Sequence, residues 1–321
     1  MKYSFSKLGK TLAGLLLSAS IVQAGELSGL SGSFADIGLG LRPLGMGGAY
    51  TALAFDEHAV RWNASLLGDV LDPSAGFSWA KQFNIISYNY ASIAYPISDM
   101  GLGVGGYIIS AGDDVYRETT IGLGAGITGD NFQLSENILF GSTLKIYLAN
   151  FGQDAGGGTD RVEGSAGGFG LDLAASYRFT DELIFALVGR DLINTISWSS
   201  DNADHSTKGD YSEGVPRVID LAAAYQNTKF AASFGIQPSL YSDSPTRVGF
   251  GFEVVMMKVF KPRLGISQNF GSDDSNRQVS LGLGIDLDPS FAGPIRKVKF
   301  GYTHLIQHID STPRVGLTVS W

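Results

Sequence analysis

The feature that most constrains this chain is a two-residue alternation that begins near residue 73 and recurs to the C-terminus. In "VSLGLGIDL", residues 279–287, every second residue is valine, leucine or isoleucine, and between them stand Ser280, Gly282, Gly284 and Asp286. Because successive side chains of a strand point to opposite sides, this segment has one apolar face and one small or charged face. The pattern predicts β-strands.

Fourteen segments of this kind follow residue 73, and most contain eight to fifteen residues. A tilted strand of about 9–11 residues crosses a bilayer, and bacterial barrels have an even number of strands. The predicted segments are residues 75–82, 84–95, 99–110, 115–127, 137–149, 165–179, 182–190, 215–226, 228–236, 246–257, 259–268, 276–287, 295–307 and 313–321.

The links between the segments alternate in length. Links after odd-numbered segments include residues 191–214, whereas links after even-numbered segments include Thr180-Asp181 and Asn227 alone. Outer-membrane barrels have long loops outside the cell and tight turns in the periplasm. We therefore predict an all-β fold, a 14-stranded antiparallel transmembrane β-barrel in a bacterial outer membrane, with both termini periplasmic.

The first 24 residues have the pattern of a signal peptide. Lys2, Lys7 and Lys10 precede an apolar run of about 12 residues, and Val22-Gln23-Ala24 offers small residues for cleavage before Gly25. A membrane-spanning helix needs about 20 apolar residues, so this run is too short to be an anchor. The sequence predicts secretion of a mature chain that starts near Gly25.

Composition and motifs argue against several functional classes. The chain has no cysteine, which excludes disulfides and thiolate metal sites, and a net charge of −8, which argues against a nucleic-acid partner. His304 and His308 would lie about 13 Å apart on a strand, too far to share a zinc ion. No G-x-S-x-G or P-loop motif is present. We predict no metal, no cofactor and no enzymatic activity; a Ser/His/Asp site without a local motif is the alternative.

The face opposite the apolar one should line the lumen. Its charges admit two interpretations, ion pairs that brace the wall or a polar conduit, and the mixture of signs favours bracing. The charged residues are Lys145, Asp172, Arg178, Asp220, Arg247, Glu253, Arg263 and Asp286, together with Arg217, Lys261, Lys297 and Lys299.

The last segment ends in "PRVGLTVSW", with Val315, Leu317, Val319 and Trp321 on one face. A final strand that closes on an aromatic residue resembles the C-terminal insertion signal of bacterial outer-membrane proteins. The resemblance implies that the outer-membrane assembly machinery recognises Trp321 and that membrane lipid surrounds the wall.

A further motif lies between the signal peptide and the first strand. It comprises Arg42, Pro43, Leu44, Gly45, Met46, Gly47, Gly48 and Ala49, then Thr51-Ala52-Leu53-Ala54, then Trp62 and Asn63. The motif resembles the N-terminal region of the PorV/PorQ family of FadL-like outer-membrane proteins. That family usually continues Asn-Pro-Ala, whereas Ala64 and Ser65 follow here, so a role of that proline does not carry over.

The resemblance implies that residues 25–72 form a plug inside a barrel of residues 73–321. The residues themselves agree, since this segment lacks the two-residue alternation. The spacing of Ala49, Ala52, Leu53, Val60 and Leu66 favours a short, interrupted amphipathic helix. The glycines would let its backbone lie against the wall.

Two functions follow from the resemblance. The first is a FadL-like channel or carrier for small hydrophobic molecules that is gated by the plug. The alternative is a PorV-type component of the type IX secretion system that binds secreted cargo proteins. The first function predicts an apolar cavity bordered by Leu44, Met46 and Trp62. A purely structural barrel is a third possibility.

Overall fold

The alternating residues from Ser74 to Ser320 form one antiparallel sheet that closes into a barrel. Each strand pairs with its neighbour along the chain except that β8 and β9 both pair with β7, and β1 pairs with β15 to close the barrel. The strands are β1 (Ser74–Gln82), β2 (Ile86–Ile97), β3 (Leu102–Gly112), β4 (Tyr116–Thr128), β5 (Ile138–Phe151), β6 (Val162–Arg178), β7 (Leu183–Asn202), β8 (Lys208–Glu213), β9 (Val218–Gln226), β10 (Phe230–Gln237), β11 (Thr246–Val254), β12 (Phe260–Phe270), β13 (Arg277–Leu287), β14 (Lys297–Ile306) and β15 (Ser311–Ser320).

The structure is a computed structural model. It describes residues 39–82, 85–97, 101–113, 115–152, 162–202, 208–240, 245–271, 277–289, 293–307 and 311–321. The chain divides into two units, residues 1–31 and 32–321, and all described residues belong to the second. The predicted signal peptide and residues 25–38 of the predicted plug lie outside the described residues. In the part of the chain that is described, no helix is long and apolar enough to cross a membrane.

β8 and β9 share one position in the barrel. β7 pairs with β9 through residues 183–190 and with β8 through residues 196–201. The barrel therefore has fourteen strand positions, which confirms the predicted all-β, 14-stranded antiparallel fold. We call the end of the barrel that holds Ser74 and Ser320 the terminal end, and the opposite end the distal end.

The alternation separates two faces as predicted. On β13, Leu281 and Leu283 are 48% and 37% exposed, whereas Ser280 is fully buried and Asp286 is 7% exposed. The same contrast recurs on β11, where Phe250 is exposed and Glu253 is buried. The outward face is therefore apolar and the inward face is small or charged, the inverse of a soluble barrel.

One predicted loop was wrong. Residues 191–214 lie mostly in strands, because β7 continues to Asn202 and Lys208–Glu213 forms β8. The distal parts of β6 and β7 exceed the length that a bilayer requires. The contrast between long and short links is accordingly smaller than the sequence indicated, and the wall formed by β5–β8 is taller than the rest of the barrel.

Residues 39–72, which we call the inner segment, lie within the barrel. They form α1 (Leu41–Gly45), α2 (Ala59–Trp62) and a 3₁₀ helix (Ala64–Asp69). α1 contacts β12–β15 while the 3₁₀ helix contacts β2–β6, so the segment reaches opposite sides of the wall. The predicted amphipathic helix was wrong, because Ala49, Ala52 and Leu53 lie outside any helix and because α2 is buried on every side, Arg61 included.

Candidate functional site

The inner segment approaches the wall most closely where both backbones carry glycine. Gly47 has a φ of +66°, and a Cβ there would lie 2.7 Å from the backbone nitrogen of Ile266. Across the contact, a Cβ on Gly265 would overlap the Gly47 nitrogen. On the opposite side of the barrel, a Cβ on Gly103 or Gly126 would overlap the backbone of the 3₁₀ helix. A side chain at these positions would push the inner segment off the wall.

Arg42 of the predicted motif lies in an ion-paired cluster with β11 and β12. Its Nη2 is 2.9 Å from Glu253 Oε1, and Arg263 Nε is 2.5 Å from the other oxygen of Glu253. Arg42 also donates to the Tyr50 hydroxyl at 3.0 Å, which donates to Asp56 at 2.5 Å. Burial acts to raise the pKa of Asp56, but the charges of His58, Arg42 and Lys299 outweigh it and lower that pKa.

The second cluster joins β5, β6 and β7. Lys145 Nζ lies 2.7 Å from Asp172 Oδ1 and 2.8 Å from Asp191 Oδ2, and the Tyr147 hydroxyl donates to Asp191. All four residues are buried. Of the predicted lumen carboxylates, Glu253 therefore pairs with Arg42, whereas Asp172 pairs with Lys145.

The third cluster holds α2 against β7 and β9. Arg190 donates to the Arg61 carbonyl at 2.8 Å and the Trp62 carbonyl at 2.9 Å, and its Nη2 is 3.0 Å from Asp220 Oδ2. Thr51 donates to the same Asp220 oxygen at 2.6 Å. Helix carbonyls that would otherwise lack partners are thereby satisfied by a buried guanidinium.

The other predicted lumen charges are dispersed around the wall. Arg178 pairs with Asp69 of the inner segment, and Lys261 pairs with Asp286 at 2.7 Å. Arg247 lines a small cavity beside Trp62, Arg217 lies between β8 and β9, and Lys297 and Lys299 line a cavity of about 580 Å³ at the terminal end. These charges do not converge on one site. When the three clusters are included, eight of the twelve predicted lumen charges make ion pairs that join wall to wall or wall to inner segment.

The remaining motif residues are packed within the lumen. Pro43, Leu44, Gly45, Met46 and Gly47 are buried, and Gly48 is half-buried. The Trp62 indole donates to the Leu39 carbonyl at 2.9 Å, and the Asn63 amide donates to the Thr51 carbonyl at 2.7 Å. Trp321 lies at the end of β15, where its N–H donates to the Pro73 carbonyl at 3.1 Å.

The expected apolar cavity beside Leu44, Met46 and Trp62 is not found among the described residues. Leu44 and Met46 are packed, and the cavity that touches Trp62 measures about 20 Å³ and is lined by Arg61, Arg190 and Arg247. The lumen is therefore filled at the level of α2, and a hydrophobic molecule would need the inner segment or the wall to move.

The wall is irregular on β7. The β6–β7 register shifts between Leu171 and Leu173, and Asp191 at the shift has a φ of +52°, which is costly for a residue with a side chain. Opposite it, residues 214–217 separate β8 from β9. We call residues 214–217 the wall break.

The side chain of Asn194 bridges the wall break. Asn194 donates to the Val215 carbonyl at 3.0 Å and accepts from the Val215 N–H at 2.6 Å, in place of ladder hydrogen bonds. Asp191 and Asn194 were not predicted as functional residues because residues 191–214 were assigned to a loop, and Arg190 was missed at the end of the predicted strand 182–190. Pro216 near the start of a strand was the available signal, since proline cannot donate to a ladder.

Comparison with known proteins identifies the fold. No family model and no curated protein sequence matches the chain. Among solved structures, a FadL homologue of Pseudomonas aeruginosa superposes with a TM-score of 0.61 at 10% identity, covering 88% of this chain and 97% of that one.

Two further structures are described as channels or transporters. The monoaromatic hydrocarbon channel CymD superposes with a TM-score of 0.58 at 14% identity, covering 88% of this chain and 96% of that one. The Pseudomonas putida toluene transporter TodX superposes with a TM-score of 0.56 at 14% identity, covering 88% and 97%. The fold is FadL-like. These structures do not distinguish the PorV/PorQ branch that the motif suggested.

Proposed function

We propose that this protein is a FadL-like outer-membrane channel or carrier for small hydrophobic molecules, gated by the inner segment as a plug, and that it is not an enzyme. The observation that carries the proposal is a barrel with an apolar outer face whose lumen is filled by a segment held through side-chain contacts. Structures of the same fold are described as a monoaromatic hydrocarbon channel and a toluene transporter. We extend that ligand class to this chain.

The proposed route runs from the distal end to the wall break. The clusters around Lys145 and Arg190 close the lumen below the break, so an apolar molecule would meet buried charges if it continued along the axis. At the break the ladder is replaced by the side chain of Asn194, and Val215 and Ile196 offer an apolar lining. A molecule that left sideways would enter lipid and avoid the charges.

The gate can be tested by locking the inner segment to β6. Ser65 Oγ and Ser176 Oγ lie 2.7 Å apart, and the chain has no native cysteine. The double variant Ser65→Cys/Ser176→Cys should form a disulfide, whose sulfur–sulfur distance is about 2.05 Å. We expect oxidised cells to lose uptake of labelled toluene and a reductant to restore it.

The two single-cysteine variants are the controls, since they keep the substitutions without the bond. If the oxidised double variant takes up toluene as fast as its reduced form, the inner segment is not the gate. If the unmodified protein raises uptake of neither toluene nor a larger hydrophobe above that of cells without it, the transport proposal itself fails.

The type IX alternative, with a secreted cargo protein as partner, rests on the motif from Arg42 to Ala49. Its test is crosslinking in outer membranes followed by pull-down of the full chain. Recovery of secreted proteins that share one sorting domain would favour that alternative over transport.

We further propose that Trp321 is recognised by the assembly machinery and that both termini face the periplasm. Deletion of Trp321 should lower the amount of folded barrel in the membrane. A protease added to intact cells should cut tags inserted at the distal end and spare tags at the C-terminus; the reverse pattern would contradict the orientation.

A further inference from the structure

The tall wall carries a band of aromatic side chains on its inner face, on the distal side of Lys145. Tyr116 pairs with Phe151 across β4 and β5, and Trp198 pairs with Tyr211 across β7 and β8. The Trp198 and Tyr211 rings are stacked with centroids 6.2 Å apart, and the Phe151 ring lies 6.3 Å from Trp198. We call these four residues the aromatic band.

Small residues on β6 allow the band to form. Gly164 pairs with Phe151 and a Cβ on Gly164 would lie 2.5 Å from the Phe151 ring, while Ala166 pairs with Trp198. Larger side chains at these positions would separate the rings. Tyr116 and Tyr211 are 40% and 56% exposed, so aromatic surface remains accessible.

Two carboxylates lie at the edges of these rings. Glu213 accepts a hydrogen bond from the Trp198 indole at 2.7 Å, and Glu118 accepts one from the Tyr116 hydroxyl. Distal to Lys145, the described inward-facing residues of β4–β8 include no lysine or arginine. Arg314 of β15 also faces the lumen, but it lies over the Tyr88 ring and donates to Gln82 at 2.7 Å.

We propose that the aromatic band, with Glu118 and Glu213, binds organic cations that carry an ammonium group on an apolar body. Ring faces attract cations, and a carboxylate beside the ring adds a charge-assisted contact that a neutral hydrocarbon does not use. An anion would be repelled by both glutamates. This site goes beyond the proposed transport of hydrophobic molecules and does not depend on it.

The test uses three soluble probes that share one ring and differ in charge: benzyltrimethylammonium, benzyl alcohol and phenylacetate. Each is titrated by calorimetry into the full chain in a non-ionic detergent. We expect saturable binding of the cation only. Glu213→Gln should weaken cation binding about tenfold, the size of one desolvated cation contact.

Asp210→Asn is the matched control. Asp210 lies on the same strand, but it accepts from Ser199 at 2.7 Å on the outward face, so its loss should leave cation affinity unchanged. Heat-modifiable gel migration checks that each variant remains folded. Trp198→Leu should weaken binding of the cation by a similar factor while the barrel remains folded.

Several results would overturn the proposal: equal or tighter binding of benzyl alcohol, tightest binding of phenylacetate, absence of saturable binding by any probe, or equal effects of the Glu213 and Asp210 variants. None of them bears on toluene uptake, so the proposed function is judged separately.

Discussion

The two halves of the barrel hold the inner segment in different ways. Along β11–β15 the register is continuous, glycines let α1 and its turn lie directly against the wall backbone, and the ion pairs of Arg42, Glu253 and Arg263 add to that contact. Along β5–β9 the register shifts, β8 and β9 are interrupted, and buried charges connect the parts. We call these regions the regular half and the irregular half.

The difference concerns how easily each half can rearrange. Backbone contacts over glycine allow one close-packed position, and a bulkier residue is excluded outright. Ion pairs keep their partners through rotatable side chains, and a distorted strand held this way can adopt a second arrangement if the pairs exchange. We therefore expect movement to begin in the irregular half.

The largest expected loss of stability follows from removing the buried ammonium group of Lys145 in the irregular half. Lys145→Met leaves Asp172 and Asp191 buried without their shared partner, which should lower the free energy of unfolding by about 3–5 kcal/mol. Urea unfolding in lipid vesicles measures it. Lys261→Met in the regular half is the control; its pair with Asp286 is 23% exposed on the lysine side, so its loss should cost less. Equal losses would remove the distinction between the halves.

The next largest loss of stability is expected from a substitution at the contact between Gly265 of the wall and Gly47 of the inner segment, in the regular half. Gly265→Ala places a methyl group on the Gly47 backbone and should cost about 1–3 kcal/mol. Gly167→Ala is the matched change, because a Cβ there meets nothing within 4 Å. The same unfolding assay applies. A loss no larger for Gly265→Ala than for Gly167→Ala would mean that the inner segment does not rest on the wall at Gly265.

The sequence predicted the regular half well and the irregular half poorly, for a physical reason. Two-residue alternation arises where one face of a strand meets lipid. β13 was predicted at 276–287 and found at Arg277–Leu287, since that whole strand carries the signal. The distal part of β7 has Ser197 and Ser199 on its outward face, so it lacks the apolar alternation that marks lipid contact. Apolar two-residue alternation predicts strands that face lipid, but it does not predict the parts of strands that extend beyond the lipid.

The candidate site shows the same limit. Asp220 and Glu253 lie at regular positions of the two-residue alternation, so their side chains could be assigned to the lumen from that pattern alone. The alternation fails at a bulge, so Asp191, which binds Lys145, could not be assigned to the lumen. Arg190 continues the buried face of Ala186 and Val188, so the alternation could have assigned it and it was overlooked. The pairing of Arg42 with Glu253 could not be assigned from the sequence, because no sequence signature shows which wall residues the inner segment contacts.

The smallest expected effect on stability concerns the wall break. Asn194→Ala removes both hydrogen bonds to Val215 and a third to the Asp191 carbonyl, and should cost about 1 kcal/mol, the net contribution of an ordinary intramolecular hydrogen bond or two. Asn227→Ala is the control at another turn: the Asn227 side chain accepts from the backbone N–H groups of Lys229 and Phe230 at the β9–β10 turn. The two variants should therefore lose similar stability.

Their local effects should differ. Without Asn194, the Val215 amide has lost its acceptor and should exchange with deuterium faster, whereas Asn227→Ala should leave exchange at Val215 unchanged. If the break is the lateral exit, Asn194→Ala should also alter toluene uptake and Asn227→Ala should not. Unchanged exchange at Val215 in Asn194→Ala would show that neighbouring backbone replaces the lost bonds. The irregular half would then be closed by its backbone, as the regular half is, and the exit would have to be sought elsewhere in the wall.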